Sequence, residues 1–511
     1  MTTGRRGLRG LSWRLVLAAC WATAAVSSAE AANWFSEAGL SSQLTYTDNS
    51  GIQSGAERRS DTLLDVAPSW VVRGVGPRFT MSAAGSVNAL TYLNGTQSSG
   101  LTPTGNLNAN FEAIERWLFV DAGVFAVHSA ENPLGPRPDG GSTVNRLTTT
   151  QSRLSPYVDR ALPGDLRVLL RSDNSWTDTS GAAAGASHAY SARHRALLEA
   201  PPRAFGWAVE AERSENRVSG DNVSTPDVDL VRLRLRYALG GQWIVGLRGG
   251  SERSDLFGLD DRRQFAGGEI VWQPSERTRL DGFWENRAFG GSWVASLSHR
   301  MPRLALNLNL VRELTSASQP QLTLQPTGDV AAQIDAALRT RIADPIERAR
   351  AVEDFLRQQS LPRSLDRPLI VLRDQLLVRT SRAATLTWLL GRATLVVNGF
   401  SQRDQPATGN GLRSLPTADD SELVQRGAGL TVAHRLLPRA TVSATLSWLW
   451  TDRQSTASAA ESRQRTYRLQ YDYQLAAKTS AFSGVRHQAF ELNAISASRE
   501  TGVFAGLAHR F

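Results

Sequence analysis

Residues 304–311 read Leu304-Ala305-Leu306-Asn307-Leu308-Asn309-Leu310-Val311, leucine at every even position and Ala, Asn, Asn and Val at the odd ones. A period of two puts one set of side chains on each face of a β-strand. The same rhythm returns where Val231, Leu233, Leu235, Tyr237 and Leu239 alternate with Arg232, Arg234, Arg236 and Ala238. It returns again in Val442 to Trp450, and in Tyr467, Leu469, Tyr471, Tyr473 and Leu475 against Arg468, Gln470, Asp472 and Gln474. From about Gly39 to Phe511 the chain repeats one unit of roughly ten residues with one apolar parity, followed by a turn or polar loop. A soluble β-sandwich would also alternate, so the connections have to separate the two folds. Short turns such as Gly240-Gly241, Met301-Pro302, Gly391-Arg392 and Leu437-Pro438 alternate with longer polar loops at 48–61, 92–105, 129–146, 178–187, 218–226, 254–262, 405–420, 454–461 and 491–498. Short turns on one side and long loops on the other are the layout of bacterial outer-membrane barrels. The predicted fold is all-β: a transmembrane antiparallel β-barrel of about 22 strands, within a range of roughly 16 to 24, its even count leaving both ends on the periplasmic side.

Composition agrees with that reading. The chain is 41% hydrophobic with a mean hydropathy of −0.28, and after residue 31 no segment reaches the ~20 apolar residues of a spanning helix. A barrel needs only one face of each strand apolar. Tryptophans 34, 70, 117, 176, 207, 243, 272, 388 and 450 gather near strand ends, where amphipathic rings suit the two membrane interfaces. The last strand ends in Phe511 with Val503, Ala505 and Leu507 on its parity; Phe511 is the expected signal for the barrel assembly machinery, and His509 departs from the apolar pattern.

Residues 1–31 have the order of a cleaved secretory signal: Arg5, Arg6, Arg9 and Arg14, the apolar run Leu15–Val26, and small residues ending Ala29-Glu30-Ala31. The expected organisation is a signal peptide over 1–31 and a barrel over 32–511, placed in the outer membrane of a Gram-negative bacterium among outer-membrane lipid. Leu17-Ala18-Ala19-Cys20 also fits a lipoprotein box, but that would shorten the hydrophobic segment to Leu15–Ala19. Cys20 is the only cysteine, so a cleaved chain would hold no disulfide and no thiolate metal site. Cleavage lowers the formal charge from +9 to +6. The basic residues are spread along the chain rather than clustered, which argues against nucleic acid as a partner.

One stretch breaks the alternation. Over 327–375 the apolar residues Val330, Ile334, Leu338 and Ile342, then Ile346, Ala349, Val352 and Phe355-Leu356, recur at helical spacing. Asp344, Pro345 and Glu347 form a helix start, with an Asp cap, a Pro at the first helical position and a Glu able to complete a capping box. Pro362 marks the expected end. Two short amphipathic helices inserted between strands are predicted, on the external side by strand parity, as a lid, plug or docking element.

No catalytic, cofactor-binding or metal-binding constellation emerges. The seven histidines are scattered, and His188 and His194, six apart on a strand, would stand ~20 Å apart. A barrel-embedded enzyme is the least favoured reading. The candidates for function are charged residues on the inward parity: Arg167, Arg171, Arg232, Arg234, Arg236, Arg248 and Arg468, with Asp121, Asp281, Glu285 and Asp472. At the lipid midplane an arginine costs ~2–4 kcal/mol, so these line a lumen. They either pair and fill it or, through their excess of arginine, favour anions. A general diffusion porin with anion preference is one reading. An energy-coupled receptor would need a plug domain before the barrel, whereas strands are expected from near Gly39.

The opening strand Leu44-Thr45-Tyr46-Thr47-Asp48-Asn49, the insert with Asp344-Pro345, Arg348, Val352 and Phe355-Leu356, and the closing Phe511 resemble the outer-membrane β-barrel family associated with the PEP-CTERM/exosortase sorting system. The resemblance spans almost the whole chain after the signal. It implies association with exopolysaccharide export or envelope protein sorting, with exopolysaccharide or export-system components as partners and the barrel as conduit or scaffold. It carries no active-site residues.

Overall fold

The computed structural model describes residues 33–137, 145–181, 185–219, 227–254, 262–316, 330–339, 341–359, 361, 376–407, 421–455, 459–493 and 496–511. The predicted signal segment, Pro362 and parts of the insert lie outside the described residues. The strands are β1 (Asn33–Thr47), β2 (Asp61–Val75), β3 (Phe79–Tyr92), β4 (Gly100–Ile114), β5 (Leu118–Ala130), β6 (Arg146–Leu162), β7 (Leu166–Gly181) and β8 (Gly185–Ala200). They continue as β9 (Phe205–Ser219), β10 (Val228–Leu239), β11 (Trp243–Ser254), β12 (Arg262–Ser275), β13 (Thr278–Arg287), β14 (Gly290–Met301) and β15 (Leu304–Ser316). After the insert come β16 (Leu376–Leu390), β17 (Ala393–Pro406), β18 (Glu422–Leu437), β19 (Ala440–Gln454), β20 (Ala459–Ala476), β21 (Thr479–Leu492) and β22 (Ser496–Arg510). Each strand pairs antiparallel with the next, and β22 returns to β1 from Gly39↔Arg510 to Thr47↔Gly502. The closed sheet of 22 strands pairs its backbone internally, as a hydrocarbon surrounding demands.

The parities fall as the alternation requires. On β10, Val231 is 55% exposed and Leu233 47%, while Arg232 between them is 8% exposed. Leu170, Leu247, Leu469 and Val503 stand out in the same way on other strands. A band of large exposed aliphatics around a closed barrel is surface that lipid covers. At the short-turn end it is rimmed by Trp34, Trp117, Trp388 and Trp243, whose ring stacks on Trp272 at 5.3 Å. At the other end stand Tyr46, Trp284, Trp450 and Trp176, the last 5.6 Å from Tyr190.

Two details differ from the sequence expectation. Strands run from 10 to 18 residues rather than about ten, and the first begins at Asn33 rather than near Gly39. Outside the lipid band water accepts polar residues on both faces, so the ladder continues after the alternation has faded. A tight hairpin also joins β13 to β14 through Ala288-Phe289, where no long loop was recognised; Gly290 supplies its left-handed corner at φ +100°.

The opening motif staples the barrel seam. Asp48 Oδ1 accepts from the Thr501 amide at 2.6 Å, and the Asp48 amide donates back to the Thr501 carbonyl at 3.1 Å. Asn49 Nδ2 donates to the Arg499 carbonyl at 2.9 Å, and Thr47 Oγ1 donates to Glu500 at 2.7 Å. Each such bond contributes about 1 kcal/mol. The double variant Asp48→Ala/Asn49→Ala should therefore convert from the folded to the unfolded electrophoretic band at a temperature several degrees lower. An unshifted transition would mean that the strand ladder alone holds the seam.

Candidate functional site

The lumen face of β5–β13 is dense in ion pairs, one network of which links Arg167, Arg232, Arg234, Arg236 and Arg248 through shared glutamates. Arg232 lies 2.7 Å from Glu285 and 3.2 Å from Glu210; Arg248 lies 2.9 Å from the same Glu285 and 3.6 Å from Glu269. Arg236 meets Glu199 at 2.8 Å and Glu269 at 3.6 Å, and Arg234 reaches Glu210 at 3.9 Å. Arg167 holds Asp159 and Glu199, Arg171 holds Asp121 at 2.8 Å and Asp173 at 2.9 Å, and Arg279 holds Asp281 at 2.6 Å. The Arg248 guanidinium also stacks 3.8 Å over Phe283. The arginine row of β10 is thus compensated by Glu199, Glu210, Glu269 and Glu285. Three of these four carboxylates were not singled out from the sequence. The legible signal was opposite charge on the inward parity of neighbouring strands: Arg232 faces Glu210 directly in the register.

The open volume lies elsewhere. A cavity of about 2530 Å³ runs along β1–β6 and β12–β22, and no residue of β7–β11 lines it. Of the eleven charged candidates, Arg468 and Asp472 line this space and the other nine do not. Arg468 lies over Phe504 at 4.4 Å and donates to Gln470 at 3.0 Å, and Gln470 in turn donates to Asp472 at 3.0 Å. Fifteen Arg or Lys residues line the cavity against six Asp or Glu, so its surface is net positive. The cationic excess that faces open space is carried by this second set, which includes Arg73, Arg153, Arg277, Arg300 and Arg439, and not by the β10 arginines. Toward the long-loop rim the segment after β5 folds inward. There the Arg137 amide donates to Gln464 at 2.8 Å and its guanidinium to Gln425 at 2.7 Å.

The insert forms α1 (Val330–Leu338) and α2 (Pro345–Gln358). Asp344 caps α2, accepting from the amides of Ile346 at 2.7 Å and Glu347 at 2.8 Å, with Pro345 at the first position. Glu347 contributes its backbone amide to this cap. That amide is the main cause that holds the Asp344 carboxyl below the usual carboxylate range, with Ile346 adding to it against a desolvation cost.

The external placement of the insert has to be corrected. β15 and β16 do open toward the long-loop rim, as parity required, but the helices sit inside the lumen at the short-turn end. Gln333 accepts from Thr387 at 2.5 Å, Thr441 donates to the Gln358 carbonyl at 2.7 Å, and Arg341 reaches the Pro302 carbonyl in a short turn at 3.2 Å. Across the lumen, Arg357 pairs with Glu37 of β1, and Arg73 of β2 stands 3.8 Å from Asp335. The reason is burial. Val330, Ile334, Val352, Leu356 and Leu361 need an apolar surface, and inward Val396 and Ala433 of β17 and β18 provide it; Val330, Ile334, Val396 and Ala433 are each 0% exposed. Arg348, one of the insert residues that carry the family resemblance, is buried against Asp335 at 2.9 Å and the Ile342 and Ala343 carbonyls.

A closed antiparallel barrel with a lipid-facing apolar band, two aromatic girdles and short turns at one rim defines the class: this is an outer-membrane β-barrel, its lumen partly filled by its own helical insert. No protein-family model and no curated protein sequence matches the chain. Among solved structures it is similar to the siderophore receptor PirA from Acinetobacter baumannii at 8% identity and a TM-score of 0.45, covering 93% of this chain and 80% of that one. It is similar to the FrpB iron transporter from Neisseria meningitidis at 9% and 0.42, covering 93% and 82%. It is also similar to OccAB1 from Acinetobacter baumannii at 9% and 0.32, covering 95% and 98%. The class assignment rests on strand order and surface pattern rather than on these likenesses.

Proposed function

We propose that this protein is a plugged outer-membrane conduit for anionic cargo, with α1 and α2 as the element that limits passage. The observation that carries this reading is the cavity of about 2530 Å³ with its excess of cationic side chains beside a docked helical pair. A lumen lined by one sign of charge concentrates the opposite sign inside it. The resemblance to the exosortase-associated family supplies the candidate cargo or partner, an exopolysaccharide or an export-system component.

A general diffusion porin is the alternative, and planar bilayers separate the two. The conduit should show low basal conductance and, under a salt gradient, a reversal potential on the anion side. A high, steady conductance in the wild type would favour the porin. A cation-side reversal potential would end the anionic reading of the lumen.

A further inference from the structure

The ten connections at the short-turn rim are two to four residues long, and eight of them carry an exposed basic residue: Arg78, Arg116, Arg203, Arg277, Arg303, Arg392, Arg439 or Lys478. These ten turns hold eight basic and three acidic residues, whereas the connections at the other rim, the insert aside, hold four basic and eleven acidic by sequence. The cations are not distributed evenly in their pairing. Arg78 is tied to Glu115 at 2.9 Å and Arg203 to Asp165. The five consecutive turns from β12–β13 to β20–β21 carry Arg277, Arg303, Arg392, Arg439 and Lys478, and among the described residues none of the five has a carboxylate within ion-pair distance. Arg277, Arg439 and Lys478 also line the mouth of the large cavity, so this arc is continuous with the basic lumen.

We infer that this arc is a docking surface for a flexible polyanion, a chain bearing repeated carboxylate, sulfate or phosphate groups, which reaches the lumen from the short-turn side. Adjacent turns are two strands apart, about 10 Å, so the five cations span roughly 40 Å. A small anion meets one or two of them, whereas a chain with repeating charge meets all five at once. Short turns face the periplasm in barrels of this class, and the opposite charge of the two rims gives the path a direction, inward rim to outward rim. The inference rests on the conduit reading for the last step, entry into the lumen, but capture at the rim does not depend on conduction.

The test uses full-length protein in nanodiscs of zwitterionic lipid and in planar bilayers, with dextran sulfate as the probe and uncharged dextran of the same length as control. Dextran sulfate should bind the nanodiscs, with affinity falling as salt rises, and uncharged dextran should not. The variant Arg277→Gln/Arg439→Gln/Lys478→Gln should bind it about tenfold more weakly while migrating as a folded barrel. In single channels dextran sulfate should block from one side at about tenfold lower concentration than from the other, and the triple variant should erase that difference. Equal binding by the variant, equal binding of uncharged dextran, or symmetric block would overturn the inference. Binding to anionic phospholipid vesicles that the variant loses, without binding of dextran sulfate, would assign the arc to lipid headgroups and overturn it as well. If no channel conducts but rim binding follows the expected pattern, the conduit reading fails and this one stands.

Discussion

Replacing Ile334 by Asp should raise single-channel conductance several-fold and leave the barrel folded. Ile334 is fully buried at the centre of the contact between the insert and the barrel wall, beside Val330, Val352, Leu356, Val396 and Ala433. Truncating a buried isoleucine alone costs ~2–5 kcal/mol, and a carboxylate without a partner in that cluster costs more. The remaining ties of the insert to β1 and β2, the Arg357–Glu37 and Arg73–Asp335 pairs, are partly exposed and contribute little. The helices should therefore leave the wall, while the strand ladder loses nothing. Ile334→Val, which keeps the shape and most of the burial, should conduct like the wild type. Excision of 330–358 with a Gly/Ser bridge should reproduce the Asp variant. If all three variants conduct alike, the helices do not obstruct the path and the plug idea fails.

Glu285→Ala should be the most damaging single change in the wall network, destabilising the barrel by about 3–5 kcal/mol. Glu285 is 0% exposed and forms ion pairs with two arginines, Arg232 at 2.7 Å and Arg248 at 2.9 Å, both themselves buried. Removing it leaves two guanidinium groups beside each other with Glu210 and Glu269 as the remaining counter-charges. Glu285→Gln, which keeps volume and one acceptor, should cost less. Paired removal, Glu285→Ala with Arg232→Met, should recover part of the loss, because uncompensated charge rather than the missing contact causes most of it. Urea titration of the refolded barrel, followed by tryptophan fluorescence, reads all three. A fully neutral Glu285→Ala would mean that water in the lumen solvates the arginines and the network is not structural.

Membership of the inner or outer face was legible residue by residue. The Leu304–Leu310 and Val231–Leu239 rows point outward and Arg232, Arg234 and Arg236 point inward, because a two-residue period leaves no third choice. The helical insert was legible too, with Asp344 and Pro345 starting α2 where their chemistry demands. Illegible was which arginines are compensated. Arg232 and Arg248 share Glu285, yet Glu285 lies 37 residues beyond Arg248, and the pairing exists because β10, β11, β12 and β13 lie side by side. Of the cavity's cations only Arg468 was named from the sequence; the others, drawn from strands and turns far apart in the chain, were invisible for the same reason.

The sequence by itself determined the barrel, its strand parity and the presence of two short helices, the second capped by Asp344, since all three follow from interactions between near neighbours: pleat, turn and cap. Only the tertiary structure decided where the helices rest and where the lumen stays open. An amphipathic helix declares that it must bury one face but not against what. Val396 and Ala433, apolar residues on the inward parity, became that surface once closure of the sheet had placed β17 and β18 beneath the insert.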